Sequence, residues 1–247
     1  MIVFAFFGIV AFGIYHQATN VAATCFDHKQ NEGEAGVDCG GPCSNYCSYQ
    51  LTDPVVEWVR VFPVTPGIVH AVAYIRHGYP IAAAQHVGYE FKLYDDQNNL
   101  LADRTGTTFL GTAGTTAIVE TLIPINPNST VSVARFSFID PLSWQKVSPL
   151  FSQAVINTDH TLIESFEAGT RLTAVLQNQS RLNFSNLDVV ALFYDKDGNT
   201  ITASKALLPS LPALQSQTVY FTWPYQVNNI ARTEIIPRFN PFTATSL

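Results

Sequence analysis

The chain has 247 residues; 47% are hydrophobic and only 13% are Asp, Glu, Lys or Arg, about half the charged share of an ordinary soluble domain. That composition excludes disorder and coiled coil. Thirteen Lys plus Arg against 19 Asp plus Glu leave a net charge of −6, so the chain lacks the basic footprint of a nucleic-acid-binding protein and nucleic acid is excluded as a partner.

Residues 1–15, MIVFAFFGIVAFGIY, contain no polar side chain except the last, and no charged residue occurs before Asp27. As a helix this run spans only about 22 Å; continued through Ala23 it reaches about 34 Å, enough for the ~30 Å apolar core of a bilayer. The pattern predicts a transmembrane anchor helix over residues 1–23. A secretory signal peptide cleaved at Val21-Ala22-Ala23 is the alternative, but the basic flank that such peptides carry is missing, which points to a start further upstream. An assembly helix of the kind that packs into surface filaments is a further alternative.

Residues 24–50 hold all four cysteines, Cys25, Cys39, Cys43 and Cys47, and too few large apolar side chains for a core. Small modules of that kind are held by disulfides or a metal. Four cysteines allow three pairings, which spacing leaves open. Zinc favours a pair separated by two residues, whereas here thirteen, three and three intervene, so disulfides are expected. Asp27, Asn31, Glu34 and Asp38 place oxygen donors at short intervals among glycines, the hard-ligand set that calcium takes; solvated turns use the same residues.

The pattern Cys25-x-Asp27-x-x-x-Asn31-x-x-Glu34-x-Gly36-Val37-Asp38-Cys39-Gly40-Gly41-x-Cys43 resembles a small Cys-, Asp- and Gly-rich module of secreted and surface-anchored microbial proteins. His28 stands where that module commonly has Gly. The resemblance implies an extracytoplasmic location and no particular activity.

Beyond residue 50 the chain reads as strands. In His86–Asp95, Val87, Tyr89, Phe91 and Leu93 alternate with Gly88, Glu90, Lys92 and Tyr94, one face for a core and one for water, and the run ends in the turn cluster Asp95–Asn99. The phrase returns 100 residues later: Tyr94-Asp95 answers to Tyr194-Asp195, Asn99 to Asn199, Pro124 to Pro224 and Asn128 to Asn228. A period that long marks whole domains. Each unit offers about seven short strands, among them Leu100–Arg104 and Thr107–Leu110 in the first and Phe151–Ile156 in the second. The expected fold is therefore all-β, two tandem immunoglobulin-like β-sandwiches at residues 51–141 and 142–247, behind the anchor helix and the disulfide-rich segment.

Phe91-Lys92-Leu93-Tyr94-Asp95 matches the signature of the immunoglobulin-like family named for Phe-x-Leu-Tyr-Asp, and Ala191–Asp195 retains its Tyr-Asp. That resemblance implies extracytoplasmic modules of envelope proteins, with no catalytic residues. In the second copy Val190 and Leu192 stand where Glu90 and Lys92 stand in the first, so they mark a contact surface, either between the repeats or toward a partner.

No Gly-x-Ser-x-Gly elbow, His-Glu-x-x-His helix, phosphate loop or dinucleotide fingerprint occurs. His70, His77 and His86 cluster in the first repeat without a partnering acid set. The chain is accordingly expected to be a non-enzymatic, membrane-anchored, extracytoplasmic protein of the cell envelope that binds or spaces a protein or cell-surface partner, with calcium as its only candidate cofactor. A filament or surface-layer subunit is the second reading. A carbohydrate-acting hydrolase is the third, with Glu164, Glu167 and Asp188 as its only nominees.

Overall fold

The computed structural model describes residues 24–246, so the anchor expected over residues 1–23 lies outside the described residues. Two compact units divide the chain, one ending at Leu51 and one running from Thr52 to Leu247. Among the described residues no helix is long and apolar enough to cross a membrane.

The larger unit is two β-sandwiches. The first contains β1 (Val55–Thr65), β2 (Ile68–His77), β3 (Ala82–Tyr94), β4 (Leu100–Leu110), β5 (Gly114–Pro124), β6 (Val133–Phe138) and β7 (Gln145–Lys146). The second contains β8 (Ile156–Phe166), β9 (Gly169–Asn178), β10 (Leu182–Tyr194), β11 (Thr200–Leu211), β12 (Ser216–Trp223), β13 (Arg232–Arg238) and β14 (Thr245–Ser246). The sheet orders repeat as well: β1-β2-β5 and β4-β3-β6 in the first, β8-β9-β12 and β11-β10-β13 in the second, all antiparallel. β7 pairs with β3 and β14 with β10, so the edge strand of each of these sheets comes in two pieces.

Three expectations change in detail. Leu100–Arg104 and Thr107–Leu110 are one strand, β4; the intervening Gly106 lies opposite Tyr89, and a Cβ there would sit 2.5 Å from the Tyr89 ring. Gly106 thus makes room for an aromatic ring and does not break the strand. Phe151–Ile156 is not a strand through its length, because Pro149 at its mouth starts a 3₁₀ turn over Pro149–Gln153 whose first N–H donates to Ser148 Oγ. The first sandwich also extends past residue 141, since Ala82 and Ala83 pair with Lys146 and Gln145.

The turn after β3 explains the Tyr-Asp phrase. Asp95 Oδ1 accepts the N–H groups of Gln97 and Asn99 at 3.0 and 2.7 Å, and its Oδ2 accepts Asn99 Nδ2 at 2.9 Å. Asp195 repeats this with Asp197 and Asn199 at 2.9, 2.8 and 3.2 Å. Asn98 and Gly198 occupy the left-handed position of the turn. Those bonds hold both carboxyls below the usual carboxylate range. The carbonyls of Tyr94 and Tyr194 each accept one more bond at 2.8 Å, from Ser132 and Ala231.

Candidate functional site

The N-terminal module is organised by two interleaved disulfides, Cys25–Cys43 and Cys39–Cys47. Cys43 and Cys47 are its only buried apolar side chains; Phe26, Val37 and Tyr49 are exposed. With so little apolar burial, the cross-links replace a core. Backbone in the left-handed region at His28, Glu32, Gly33, Asp38, Gly40 and Gly41 packs the segment tightly. His28 sits at φ 61°, a conformation that suits Gly best. Here the cost is offset locally: the His28 N–H donates to both Asp38 carboxylate oxygens at 3.1 Å, and its ring Nδ1 lies 3.1 Å from Asp38 Oδ2.

The four expected calcium ligands form one hydrogen-bonded chain. Asn31 Nδ2 donates to Asp27 Oδ2 at 2.8 Å, and the N–H groups of Asn31 and Asp38 donate to Glu34 Oε2 at 3.4 and 3.2 Å. The Asn31 amide, with the N–H groups of Lys29 and Thr24, holds the Asp27 carboxyl below its usual range. Among the described residues, two acceptors lack a donor. Asn31 Oδ1 is buried without a partner. Glu34 is 7% exposed, and its Oε1 lies 3.0 Å from Cys43 Sγ, a disulfide sulfur with no proton to give. Cys25, Glu34 and Cys43 are the only trio of Cys, His, Asp or Glu ligand atoms within 4.8 Å among the described residues, and both of its sulfurs are spent in one bond.

Val190 and Leu192 lie on the side of β10 facing away from the second core, fully buried against the first sandwich. They pack with Tyr194, Ala203 and Ile236 on one side and Phe62, Val72, Ala117 and Val119 on the other. The unit is therefore four stacked sheets: β4-β3-β6, β1-β2-β5, β11-β10-β13 and β8-β9-β12, with an apolar layer in each of the three gaps. Polar bolts cross the middle gap. Glu234 accepts the hydroxyls of Tyr74 and Tyr194 at 2.8 and 2.7 Å, and Arg60 donates to the Thr200 carbonyl at 3.3 Å. Burial first, then the Glu234 carboxylate, raises the pKa of both phenols.

Two of the three hydrolase nominees have local partners. Glu164 is held by Arg171 at 2.8 Å, Asp188 meets Arg238 at 3.3 Å, and Glu167 is exposed. Among the histidines, His70 Nδ1 accepts the Leu122 N–H at 3.0 Å, His77 is buried against Trp144, and His86 faces solvent. Arg238, buried where the two sandwiches meet, escapes a reading by alternation because it stands at the last position of β13, after Pro237. An arginine two residues beyond an apolar run was the available signal.

No protein-family model matches the chain, and no curated protein sequence matches it significantly. A solved structure named pT26-6p is similar over 76% of this chain and 61% of its own length, at 7% identity and a TM-score of 0.22. A beta-glucuronidase from glycoside hydrolase family 2 is similar over 88% and 29%, at 10% identity and a TM-score of 0.24. The CBM22 tandem domain of Paenibacillus barcinonensis Xyn10C is similar over 76% and 85%, at 7% identity and a TM-score of 0.15. The chain spans under two thirds of the first two, and scores this low carry no functional argument.

Proposed function

We propose that this is a non-enzymatic, membrane-anchored protein on the extracytoplasmic side of the cell envelope, in which a disulfide-stapled module and a fused pair of immunoglobulin-like sandwiches bind or space a surface partner. The observation that carries the reading is the interior of the module. Residues 24–51 bury no apolar side chain except two cysteines, both cross-linked, so the module needs an oxidising compartment to hold its fold. Fractionation of cells expressing the full chain, with thiol labelling before and after reduction, tests it. The expected result is membrane-associated protein with no labelled thiol until reductant is added; cytosolic protein with four reactive thiols overturns it.

The donorless oxygens of Asn31 and Glu34 favour a second property of the same module, calcium binding through Asp27, Asn31, Glu34 and Asp38. A hard cation would satisfy the acceptors that no proton donor reaches. Extracellular modules bind calcium with Kd of about 10⁻⁴–10⁻³ M. Millimolar calcium is expected to protect the module from proteolysis, and Asn31→Ala to remove that protection; equal digestion in calcium and in chelator counts against it.

A further inference from the structure

The two cross-links of the N-terminal module share a plan and differ in surroundings. Each joins a partly exposed cysteine, Cys25 or Cys39, to a buried one, Cys43 at 1% or Cys47 at 3% exposure. An external thiolate therefore enters at Cys25 or at Cys39, and the buried partner is the leaving sulfur in either case.

Glu34 separates the two leaving sulfurs. Its carboxylate is 7% exposed, accepts the N–H groups of Asn31 and Asp38 through Oε2, and sets Oε1 3.0 Å from Cys43 Sγ. Cys25 Sγ lies within 4.8 Å of the same carboxylate. A thiolate leaving on Cys43 faces that anion with little water between them, and a thiolate arriving at Cys25 approaches it; like charges so placed repel. Among the described residues no carboxylate lies within 4.8 Å of both sulfurs of Cys39–Cys47. That bond also closes the shorter span, a sequence separation of 8 against 18, so less stability is lost when it opens. Opening it frees the end of the module, where Tyr49 donates to the Ala35 carbonyl and the Cys47 N–H to Gln50 Oε1. Cys25–Cys43 still encloses Asp27, Asn31, Glu34 and Asp38.

We infer that Cys39 is a site of thiol modification: Cys39–Cys47 exchanges with low-molecular-weight thiols, while Glu34 keeps Cys25–Cys43 closed. In the step, a thiolate attacks Cys39 Sγ and a new S–S bond forms there as the Cys39–Cys47 bond breaks. The bonding pair leaves on Cys47 Sγ, which then takes a proton from water. One disulfide replaces another, so no oxidant or reductant is consumed. The inference rests on the two disulfides and on neither the anchor nor calcium.

The test exposes the full-length chain, in neutral detergent with chelator present, to three small thiols of different charge: cationic cysteamine, neutral mercaptoethanol and anionic mercaptopropionate. After short exposures the free thiols are blocked with N-ethylmaleimide, and tandem mass spectrometry locates each adduct. Mercaptoethanol is expected on Cys39, with the block on Cys47, at least about tenfold faster than any adduct forms on Cys25 or Cys43. That preference is expected to widen with mercaptopropionate and to narrow with cysteamine, because the Glu34 carboxylate repels the one and attracts the other. Glu34→Gln is expected to reduce the preference severalfold and to remove its dependence on thiol charge. Since that variant risks loosening the module, the charge series on the wild-type chain stands as a measurement of its own. Cys25–Cys43 opening first, both bonds opening at equal rates, or a wild-type preference that ignores thiol charge overturns the inference.

Discussion

β3 and β10 are one strand written twice, 100 residues apart, and they end in different surroundings. On β3 the side away from the core carries Glu90 and Lys92, ion-paired at 2.6 Å and open to water. On β10 the same positions are Val190 and Leu192, sealed between two sheets. The opposite sheets differ in the reverse sense. Val72 and Val119 cover the seam from the first sandwich, whereas their counterparts in the second, Thr173 and Tyr220, lie on a surface that also holds the Arg171–Glu164 pair. Two apolar faces meet once; the outer face of the first sandwich carries charges, and that of the second mixes Arg171, Glu164 and Thr173 with exposed Leu162, Phe166 and Tyr220. Identical topology thus gives one dry seam, because only there do two continuous apolar faces oppose each other.

The comparison breaks most sharply if β10 is given the face of β3. Val190→Glu with Leu192→Lys places two charges in a dry seam, and a loss of more than about 4 kcal/mol is expected; urea unfolding should show the sandwiches parting or the chain failing to fold. Leu192→Ala alone leaves a cavity and should cost about 2–5 kcal/mol by the same measurement. The reverse exchange, Glu90→Val with Lys92→Leu, should change stability by no more than about 1 kcal/mol while creating a second seam-like face; sedimentation velocity should then show concentration-dependent self-association. A monodisperse double variant would mean that the charged face of the first sandwich is not what keeps copies apart there. Removing one bolt, Tyr74→Phe, should cost about 1–2 kcal/mol, since its hydroxyl donates to a carboxylate.

The smallest expected effect is on pH. Burial holds His70 and His77 below the ordinary histidine range, so they stay neutral in the folded chain while their unfolded counterparts take up protons below about pH 6.5. Their contribution is complete above that pH and is lost as pH falls toward the folded-state values. A thermal midpoint that declines between pH 7 and pH 5, less steeply in His77→Gln, is the expected outcome. A flat profile over that range would remove these two histidines from the account.

Most of the fold was legible because alternation survives where one face is wet. β3 gave itself away through Val87, Tyr89, Phe91 and Leu93, and the Asp95 and Asp195 turns through their Asn partners. Legibility failed where local chemistry and tertiary need diverge. Gly106 looks like a break until Tyr89 is known to lie across it, and Phe151 belongs to an apolar run that only Pro149 turns aside. In the disulfide module, spacing left three pairings open, and the interleaved one depends on left-handed residues such as His28 that no periodic pattern marks. Val190 and Leu192 could be picked out as a contact face by comparing the repeats; that they face the chain's own first sandwich required coordinates.

The pieced edge strands bear on what happens in a crowded population of these molecules. An unbroken sheet edge invites a strand from a neighbour, and most edges here are spoiled: β6 with β7, and β13 with β14, are interrupted, β1 carries Pro63 and two register shifts, β8 carries one, and β11 carries Pro209. β12 is the exception, pairing with β9 without a shift and presenting Ser216–Trp223, which has no charge and no proline. If these molecules aggregate as intact sandwiches, β12 is where strand addition begins, and a lysine in place of the exposed Tyr220 is the smallest change that would blunt it.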